Sequence, residues 1–290
     1  MSFVVELPGL LSLVEDGGRT GLGHLGVSTS GAFDRPALRQ ANILLGNDPC
    51  AAVIEVLGGG LLLRAESAHM IAMTGGVGPL DIDGEPAAHG RAIPIRAGQR
   101  LRLGTIAAGV RTYVGVAGGL AAARELGSAS ADTLAGLGPA PLAVGDTLAV
   151  GVARPSPDLE DIPSLLRGGD LSVDVVLGPR DGWFTPESVR LLLESAWQIG
   201  SDSNRVGIRL TGPVLERARA EELPSEACAR GSIQVASDGG PIVFGPDHPV
   251  TGGYPVIAVV VDAHTDRLAQ ARPGQTLRFR VEPTRRPRWE

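Results

Sequence analysis

The amino-acid sequence predicts a mainly β protein in two halves, each a small barrel of short strands covered by a helix. Three observations lead to this fold class. Glycine and proline are frequent, at 41 and 22 of 290 residues, which indicates many tight turns. Short β-branched or leucine-rich runs recur between turn pairs such as Asp83-Gly84. Helical patterns are few and short.

The predicted strands fall on both sides of a segment rich in proline and acid. The last of them alternates polar and apolar residues, as a half-buried strand does. Before the segment we expect strands at 3–7, 61–64, 69–73, 79–82, 91–95, 99–103, 111–117 and 145–150. After it we expect strands at 171–177, 206–210, 233–235, 241–244, 255–261 and 276–281.

Helix start and stop signals predict four helices, at 34–45, 120–126, 185–197 and 262–269. Asp34 stands as N-cap before Pro36 in the first turn, and Gly46 follows the end. Thr185 caps the third helix, where a proline and a glutamate open the first turn.

The clearest domain boundary by composition is the segment VARPSPDLEDIPSLLRGGD at 152–170. It predicts an N-terminal domain at 1–155, a linker at 156–170 and a C-terminal domain at 171–285.

Composition excludes several function classes. The net charge is −6 and aromatic residues make up only 3%, which is atypical of nucleic-acid binding. All 26 basic residues are arginine, so the chain has no P-loop lysine and no lysine to carry biotin. We expect no membrane span and no signal peptide.

Cysteine and histidine usage predicts neither a disulfide framework nor a metal site. Cys50 and Cys228 lie far apart, and the histidines share no ligand spacing, so we expect no structural metal and a cytoplasmic location.

Three clusters of polar residues and glycines, at 15–47, 111–133 and 201–260, are the candidate pocket linings. Each has a structural alternative. Asp34 caps a helix, Asn42 satisfies a turn, and Arg205 with Arg209 forms a surface pair. The letters GLGHLG at 21–26 match a dinucleotide fingerprint, but no strand precedes them, so we reject that interpretation.

The clusters, taken in order, resemble a known family. Its signatures are PGLLSLVEDGGRTGLGHLGVSTSGAFD (8–34), ANILLGN (41–47), GVRTYVGVAGG (109–119), LGS (126–128), NRVGIRL (204–210), SEACARGSIQV (225–235), DGGPIVF (238–244) and TGGYPVIAVV (251–260). The family comprises allophanate hydrolase subunit 2, the C-type subunit of 5-oxoprolinase and the antagonist of a sporulation-kinase inhibitor. The sequence is also similar to half of the carboxyltransferase domain of urea carboxylase.

The resemblance implies two cyclophilin-like β-barrel subdomains and a B-type partner subunit, with a third subunit in 5-oxoprolinase. It implies ATP-dependent opening of 5-oxo-L-proline to L-glutamate by the complex, with a small-molecule substrate and no covalent biotin on this chain. Two alternatives are a biotin-dependent carboxyltransferase component and a non-catalytic antagonist of a kinase inhibitor.

The site residues implied by the surviving signatures fall into two groups. The catalytic candidates are Asp16, Arg19, Asp34, Glu226 and Asp247. The substrate-binding candidates are Ser30, Asn42, Arg205, Arg209, Gln234, Thr251, Gly252, Gly253 and Tyr254. The sequence departs from the family pattern at Ala129, Asn204, Pro249 and Val250, where charged or hydrogen-bonding residues are usual.

Overall fold

The computed structural model describes residues 1–154, 161–162, 166 and 169–282. Over these residues the chain forms two compact units. The first holds Met1–Arg19, Ser30–Asp132 and Gly136–Arg167, and the second holds Thr20–Thr29, Thr133–Ala135 and Gly168–Glu290. Most of the predicted linker at 156–170 lies outside the described residues, and the predicted domain boundaries stay a prediction.

The first unit contains two antiparallel sheets. Its strands are β1 (Ser2–Pro8), β2 (Leu11–Glu15), β3 (Val53–Leu57), β4 (Leu61–Ala65), β5 (His69–Val77), β6 (Leu80–Ile82), β7 (Glu85–Pro86), β8 (Ala92–Ile95), β9 (Arg100–Leu103), β10 (Ala108–Val116) and β11 (Thr147–Ala149). One sheet has the order β11-β1-β4-β9-β6-β7 and the other β2-β3-β10-β5-β8.

The core of the first unit follows the period-2 alternation of its strands. Val5, Val56, Leu63 and Leu101 are fully or almost fully buried and belong to one apolar cluster. Burying each such side chain contributes roughly 1.5–3 kcal/mol. This core fixes the end of β2, and β2 leads directly into Asp16.

Helix α1 (Arg35–Leu44) confirms the helix predicted at 34–45. The Asp34 carboxylate accepts a hydrogen bond from the Ala37 amide at 3.0 Å, and Pro36 lies in the first turn. The apolar face of α1 buries Leu38 and Leu44.

The second unit is built around a closed barrel with a separate two-stranded ribbon. The strands are β12 (Leu171–Leu177), β13 (Trp197–Ile199), β14 (Gly207–Thr211), β15 (Glu226–Ala227), β16 (Ser232–Val235), β17 (Pro241–Phe244), β18 (Thr251–Gly252), β19 (Val256–Val260) and β20 (Thr276–Val281). The barrel order is β12-β19-β16-β17-β14-β13-β20, and the parallel pair β12–β20 closes it. Strands β15 and β18 form the ribbon.

The second unit also carries α2 (Pro186–Glu194) and α3 (Asp262–Leu268). Helix α2 is shorter than the predicted 185–197, because Ser195 is extended and Trp197 opens β13 instead. The Trp197 ring is fully buried and its indole N–H donates to the Leu192 carbonyl at 3.0 Å. The burial of this tryptophan outweighs the helical pattern.

The mainly β fold class is confirmed, and the predicted strands appear with small shifts at their ends. The helix predicted at 120–126 is wrong. Leu120 forms an isolated bridge with Val150, and Glu125 pairs across a tight turn with Ser128. Leu126 takes a left-handed φ of 51°, which ends any helical continuation. Strands β2, β3, β7, β13, β15 and β18 were not predicted.

No helix in the described part of the chain is long and apolar enough to cross a membrane.

Candidate functional site

Asp16 in the first unit is held by four hydrogen-bond donors. Its Oδ1 accepts from the Ser128 hydroxyl at 2.5 Å, the Ser130 hydroxyl at 2.7 Å and the Gly18 amide at 2.8 Å. Its Oδ2 accepts from the Ala129 amide at 2.8 Å. Because every donor favours the ionised form, these bonds fix the carboxylate as an anion.

Burial raises the pKa of Asp16, but the hydrogen bonds from Ser128, Ser130, Ala129 and Gly18 outweigh it and hold the pKa below its ordinary value. A carboxylate that stays ionised at neutral pH is poorly matched to proton transfer. The geometry suits Asp16 to anchoring the 128–130 loop, and its predicted catalytic role stays a prediction.

Arg19 lies beside this loop and is only 2% exposed. Its Nη2 donates to the Ser130 carbonyl at 2.5 Å and its Nε to the Glu125 carbonyl at 3.5 Å. Its Nη1 is buried and has no hydrogen-bond partner among the described residues. Asp16 and Arg19 therefore contact the same loop. Both oxygens of Asp16 accept hydrogen bonds, whereas Nη1 of Arg19 has no partner among the described residues.

The segment 30–34 runs against the Asp16 turn. Ser30 is buried with a left-handed φ of 50°, and Gly31 follows at 81°. A Cβ at Gly31 would lie 2.9 Å from the Gly18 nitrogen, so only glycine fits there. The Ala32 amide donates to the Asp16 carbonyl at 3.0 Å. Ser30 is therefore a neighbour of Asp16, whereas Asp34 caps α1.

A buried hydrogen-bond network that the sequence analysis missed also holds the 30–34 segment, through the amides of Phe33 and Asp34. Glu55 Oε2 accepts from the Phe33 amide at 2.9 Å and the Tyr113 hydroxyl at 2.8 Å. The Tyr113 oxygen accepts from the Asp34 amide at 2.7 Å. Arg111 Nε lies 3.3 Å from Glu55 Oε1. The available signal was a glutamate inside the apolar run VIEVL at 53–57.

Burial raises the pKa of Tyr113 well above its ordinary value, and the charges of Glu55 and Asp34 raise it further. The phenol therefore stays protonated and keeps donating to Glu55. This fixes the direction of each hydrogen bond in the network.

Asn42 is fully buried in the first unit, where its side chain hydrogen-bonds to the loop that follows α1. Its amide donates to the Ala51 carbonyl at 2.8 Å, and its oxygen accepts from Asn47 at 3.0 Å. This arrangement matches the structural alternative for Asn42. The predicted substrate contact stays a prediction.

In the second unit, Arg205 and Asp247 form a buried ion pair. Arg205 Nε lies 2.9 Å from Asp247 Oδ2, and Nη2 lies 2.9 Å from Oδ1. The Thr133 amide at 3.0 Å and hydroxyl at 2.7 Å also donate to Oδ2. Such a bidentate pair uses the donors of the arginine and the acceptors of the carboxylate together. It indicates a structural role, and the predicted site roles are untested.

Arg209 lies on the outer side of β14, with Nε 3.0 Å from Asp202. Both side chains are more than half exposed. This geometry is that of a surface ion pair. The sequence left this alternative open for both Arg205 and Arg209, and it is correct for Arg209 but wrong for the buried Arg205.

The β15–β18 ribbon collects the remaining predicted residues of the second unit. Glu226 lies opposite Gly252, next to Thr251 in β18. A Cβ at Gly252 would lie 2.6 Å from the Gln234 amide nitrogen, which itself donates to the Tyr254 carbonyl at 2.9 Å. Gly253 connects the strand to Tyr254. The ribbon is thus the largest gathering of predicted residues in this unit.

Arg180 and Arg217, which the sequence analysis did not single out, contact Glu226 of this ribbon and Tyr254 after it. Arg180 Nε donates to Glu226 at 3.0 Å and a second bond runs from its Nη2. This pairing lowers the pKa of Glu226. Arg217 lies over the Tyr254 ring at 5.4 Å, and Arg219 lies over Trp183 at 5.6 Å. The ribbon therefore presents one carboxylate among several guanidinium groups.

The structure shows the contacts of three of the four residues that depart from the family pattern. The Ala129 methyl group is buried in the core of the first unit, and its amide binds Asp16. Asn204 Oδ1 accepts from the Val206 and Gly207 amides at 2.9 and 3.2 Å, as an aspartate would. The Val250 carbonyl accepts from the Cys228 amide at 2.8 Å.

An open cavity of about 490 Å³ lies in the first unit. None of the predicted site residues lines it. Its walls are Val14, residues 120–125, 138–140, Leu142 and residues 146–149. Among the residues that the structure describes, no group of three or more His, Cys, Asp or Glu side chains could hold a metal ion.

Comparison with known proteins identifies the family. Residues 25–281 match the family described as "Carboxyltransferase domain, subdomain A and B". The C-type subunit of 5-oxoprolinase from Escherichia coli (strain K12) is 38% identical over 275 residues, which cover 93% of this chain and 88% of that protein. The corresponding subunit of Haemophilus influenzae is 34% identical over 279 residues, 92% of this chain and 86% of that protein.

A solved structure with the same fold is that of the K. lactis urea amidolyase, with a TM-score of 0.89 and 28% identity. The match covers 96% of this chain but only 18% of the amidolyase chain. The family match spans most of the sequence, and the two bacterial subunits are 38% and 34% identical to it. The chain belongs to the carboxyltransferase-domain family of subdomains A and B.

Proposed function

We propose that this chain is the C-type subunit of an ATP-dependent 5-oxoprolinase, which opens the lactam of 5-oxo-L-proline to give L-glutamate. The observation that carries the proposal is the 38% identity to the E. coli C-type subunit over 88% of that protein's length. The activity belongs to a complex with a B-type subunit and a third subunit, and the chain is inactive alone.

Among the four carboxylates proposed for acid–base work, Glu226 has the most suitable surroundings. Asp16 accepts hydrogen bonds from four donors, Asp34 caps a helix, and Asp247 forms a buried ion pair with Arg205. Glu226 sits on a ribbon with 30% of its side chain exposed and a single arginine partner. A change of partner on complex formation would release it as a base.

ATP enters this proposal at the level of the complex. The chain has no lysine, so the charges available to hold a phosphorylated or carboxylate intermediate are arginines. Arg19 in the first unit is the guanidinium group that we assign to this role, with backbone amides of the glycine turns.

A second candidate function is a carboxyltransferase component of a urea-carboxylase-like system. The TM-score of 0.89 to the K. lactis urea amidolyase favours it. Because this chain has no lysine, biotin would arrive on a separate carrier protein.

The test is reconstitution with the partner subunits, followed by measurement of glutamate release and ATP hydrolysis with 5-oxo-L-proline. We expect turnover only when all subunits are present, and at least a ~100-fold lower kcat for Glu226→Gln. Glu187→Gln is the matched control, because Glu187 is an exposed carboxylate that also pairs with one neighbouring arginine. Absence of glutamate, with consumption of carboxybiotin from a carrier protein, would support the second candidate instead.

A further inference from the structure

We propose that the guanidinium of Arg19 is the binding group of a site for a small carboxylate. The residues that define this site, Asp16, Arg19, Glu125 and Ser130, all belong to the first unit. The inference rests on the proposed function only for the identity of the carboxylate, which would be that of 5-oxo-L-proline.

The first argument is the count of donors on Arg19. A guanidinium carries five N–H groups. Two are used, by the Glu125 and Ser130 carbonyls, and Nη1 is buried with no partner among the described residues. Both hydrogens of Nη1 and one of Nη2 are therefore unused. The two hydrogens of Nη1 point in different directions, about 120° apart, and each can be donated to a carboxylate oxygen.

The second argument is charge. Arg19 is 2% exposed and always protonated, and it forms no ion pair with any residue in the described part of the chain. A buried charge is costly unless an opposite charge accompanies it. Both of its acceptors are neutral backbone carbonyls. An anion bound at Nη1 would supply the missing negative charge.

Asp16 does not fill this role, although it is three residues away in the sequence. Its oxygens already accept from Ser128, Ser130, Ala129 and Gly18. Ser130 separates the two groups, because its hydroxyl binds Asp16 while its carbonyl binds Arg19.

The same geometry limits the charge of the ligand. Asp16 is a fixed negative charge close to the site, and Arg124, which lies 3.8 Å from its Oδ2, is well exposed. A single unpaired guanidinium balances one negative charge, so a monoanionic carboxylate fits better than a phosphate dianion.

The experiment is thermal unfolding of the full chain with sodium acetate, sodium formate or sodium 5-oxo-L-prolinate, each compared with sodium chloride at the same ionic strength. 5-Oxo-L-prolinamide is the neutral counterpart. We expect each carboxylate to raise the Tm of the wild-type chain by roughly 3 °C at about ten times its Kd, and the amide to have no effect. Arg19→Gln should remove the shift.

Arg102→Gln is the matched control, since Arg102 is an arginine of the same unit with 62% of its side chain exposed. It should keep the full shift. No shift in the wild-type chain with any carboxylate, or an equal shift in Arg19→Gln, would overturn the site.

If Arg19→Gln does not fold, a co-crystal structure of the wild-type chain with 5-oxo-L-proline decides. A carboxylate within about 3 Å of Nη1 supports the site, and a carboxylate bound only elsewhere overturns it. Stabilisation by acetate but not by 5-oxo-L-proline supports the site and counts against the proposed function. ATP-dependent glutamate formation without any carboxylate response overturns the site and leaves the proposed function standing.

Discussion

Arg19 of the first unit and Arg205 of the second are equally buried, at 2% and 3% exposure, but their surroundings differ. Arg205 has two hydrogen bonds to Asp247. Arg19 has two neutral carbonyl acceptors and one nitrogen without a partner among the described residues. Equal burial therefore does not imply an equal role. A paired charge stabilises the fold, whereas an unpaired one is available to a ligand.

The largest effect that we expect comes from breaking the paired arginine. Arg205→Gln leaves the Asp247 charge buried without its cation and with only the Thr133 hydrogen bonds shown in the structure, so the free energy of unfolding should fall by about 3–5 kcal/mol. Urea denaturation of the full chain measures it. The double variant Arg205→Gln/Asp247→Asn should recover part of the loss, because it removes the lone charge. A loss below about 1 kcal/mol in the single variant would show that the comparison with Arg19 is mistaken.

The next effect concerns the carboxylate beside Arg19. Hydrogen bonds lower the folded-state pKa of Asp16. The stability contributed by its ionised form is therefore fully present above the unfolded pKa of about 3.9 and is lost as pH falls through the folded pKa. Asp16→Asn should cost about 1–3 kcal/mol at pH 7 and should flatten the acid limb of the stability profile.

The measurement is the free energy of unfolding of both proteins between pH 3 and pH 7. Asp48→Asn is the control, because Asp48 is exposed and its carboxylate accepts from the nearby Cys50 amide at 2.8 Å. An Asp16→Asn profile that parallels the wild type down to pH 3 would show that the carboxylate contributes through shape alone.

The smallest effect belongs to Arg209, an exposed counterpart of the two buried arginines. Its pair with Asp202 is solvent-exposed, so Arg209→Gln should change the free energy of unfolding by no more than about 0.5 kcal/mol. Urea denaturation tests this value. If the same variant lowers turnover of the reconstituted complex, Arg209 acts in the complex, on substrate or on a partner subunit, because the fold of this chain is unaffected. A destabilisation above about 1 kcal/mol would show that the ion pair of Arg209 stabilises the fold, as that of Arg205 is expected to do.

Local signals in the sequence were sufficient for several elements. The N-cap Asp34 with Pro36 predicted α1, because both act through the next few residues. The helix predicted at 120–126 failed, since Leu120 instead bridges to Val150 and its amide binds the Ala52 carbonyl. Contacts between distant segments decided the conformation there, and no local pattern reports them.

The candidate site shows the same limit. The sequence marked Asp16, Arg19, Arg205 and Asp247 as polar residues near glycines, which is a property of composition. It did not reveal that Asp247 accepts from Arg205 or that Asp16 accepts from Ser128, because these partners are far apart along the chain. Tyr113 and Glu55 were missed for the converse reason, since they lie within strands that look purely structural.

The parallel pairing of β12 with β20 bears on how the second unit forms during synthesis. Strand β20 is the last strand of the barrel, and it lies between the first two, β12 and β13. Both early strands keep an open edge until Val281 has left the ribosome. Unpaired edges invite association with other chains. The second unit therefore exposes two unpaired strand edges until the synthesis of its last strand is finished.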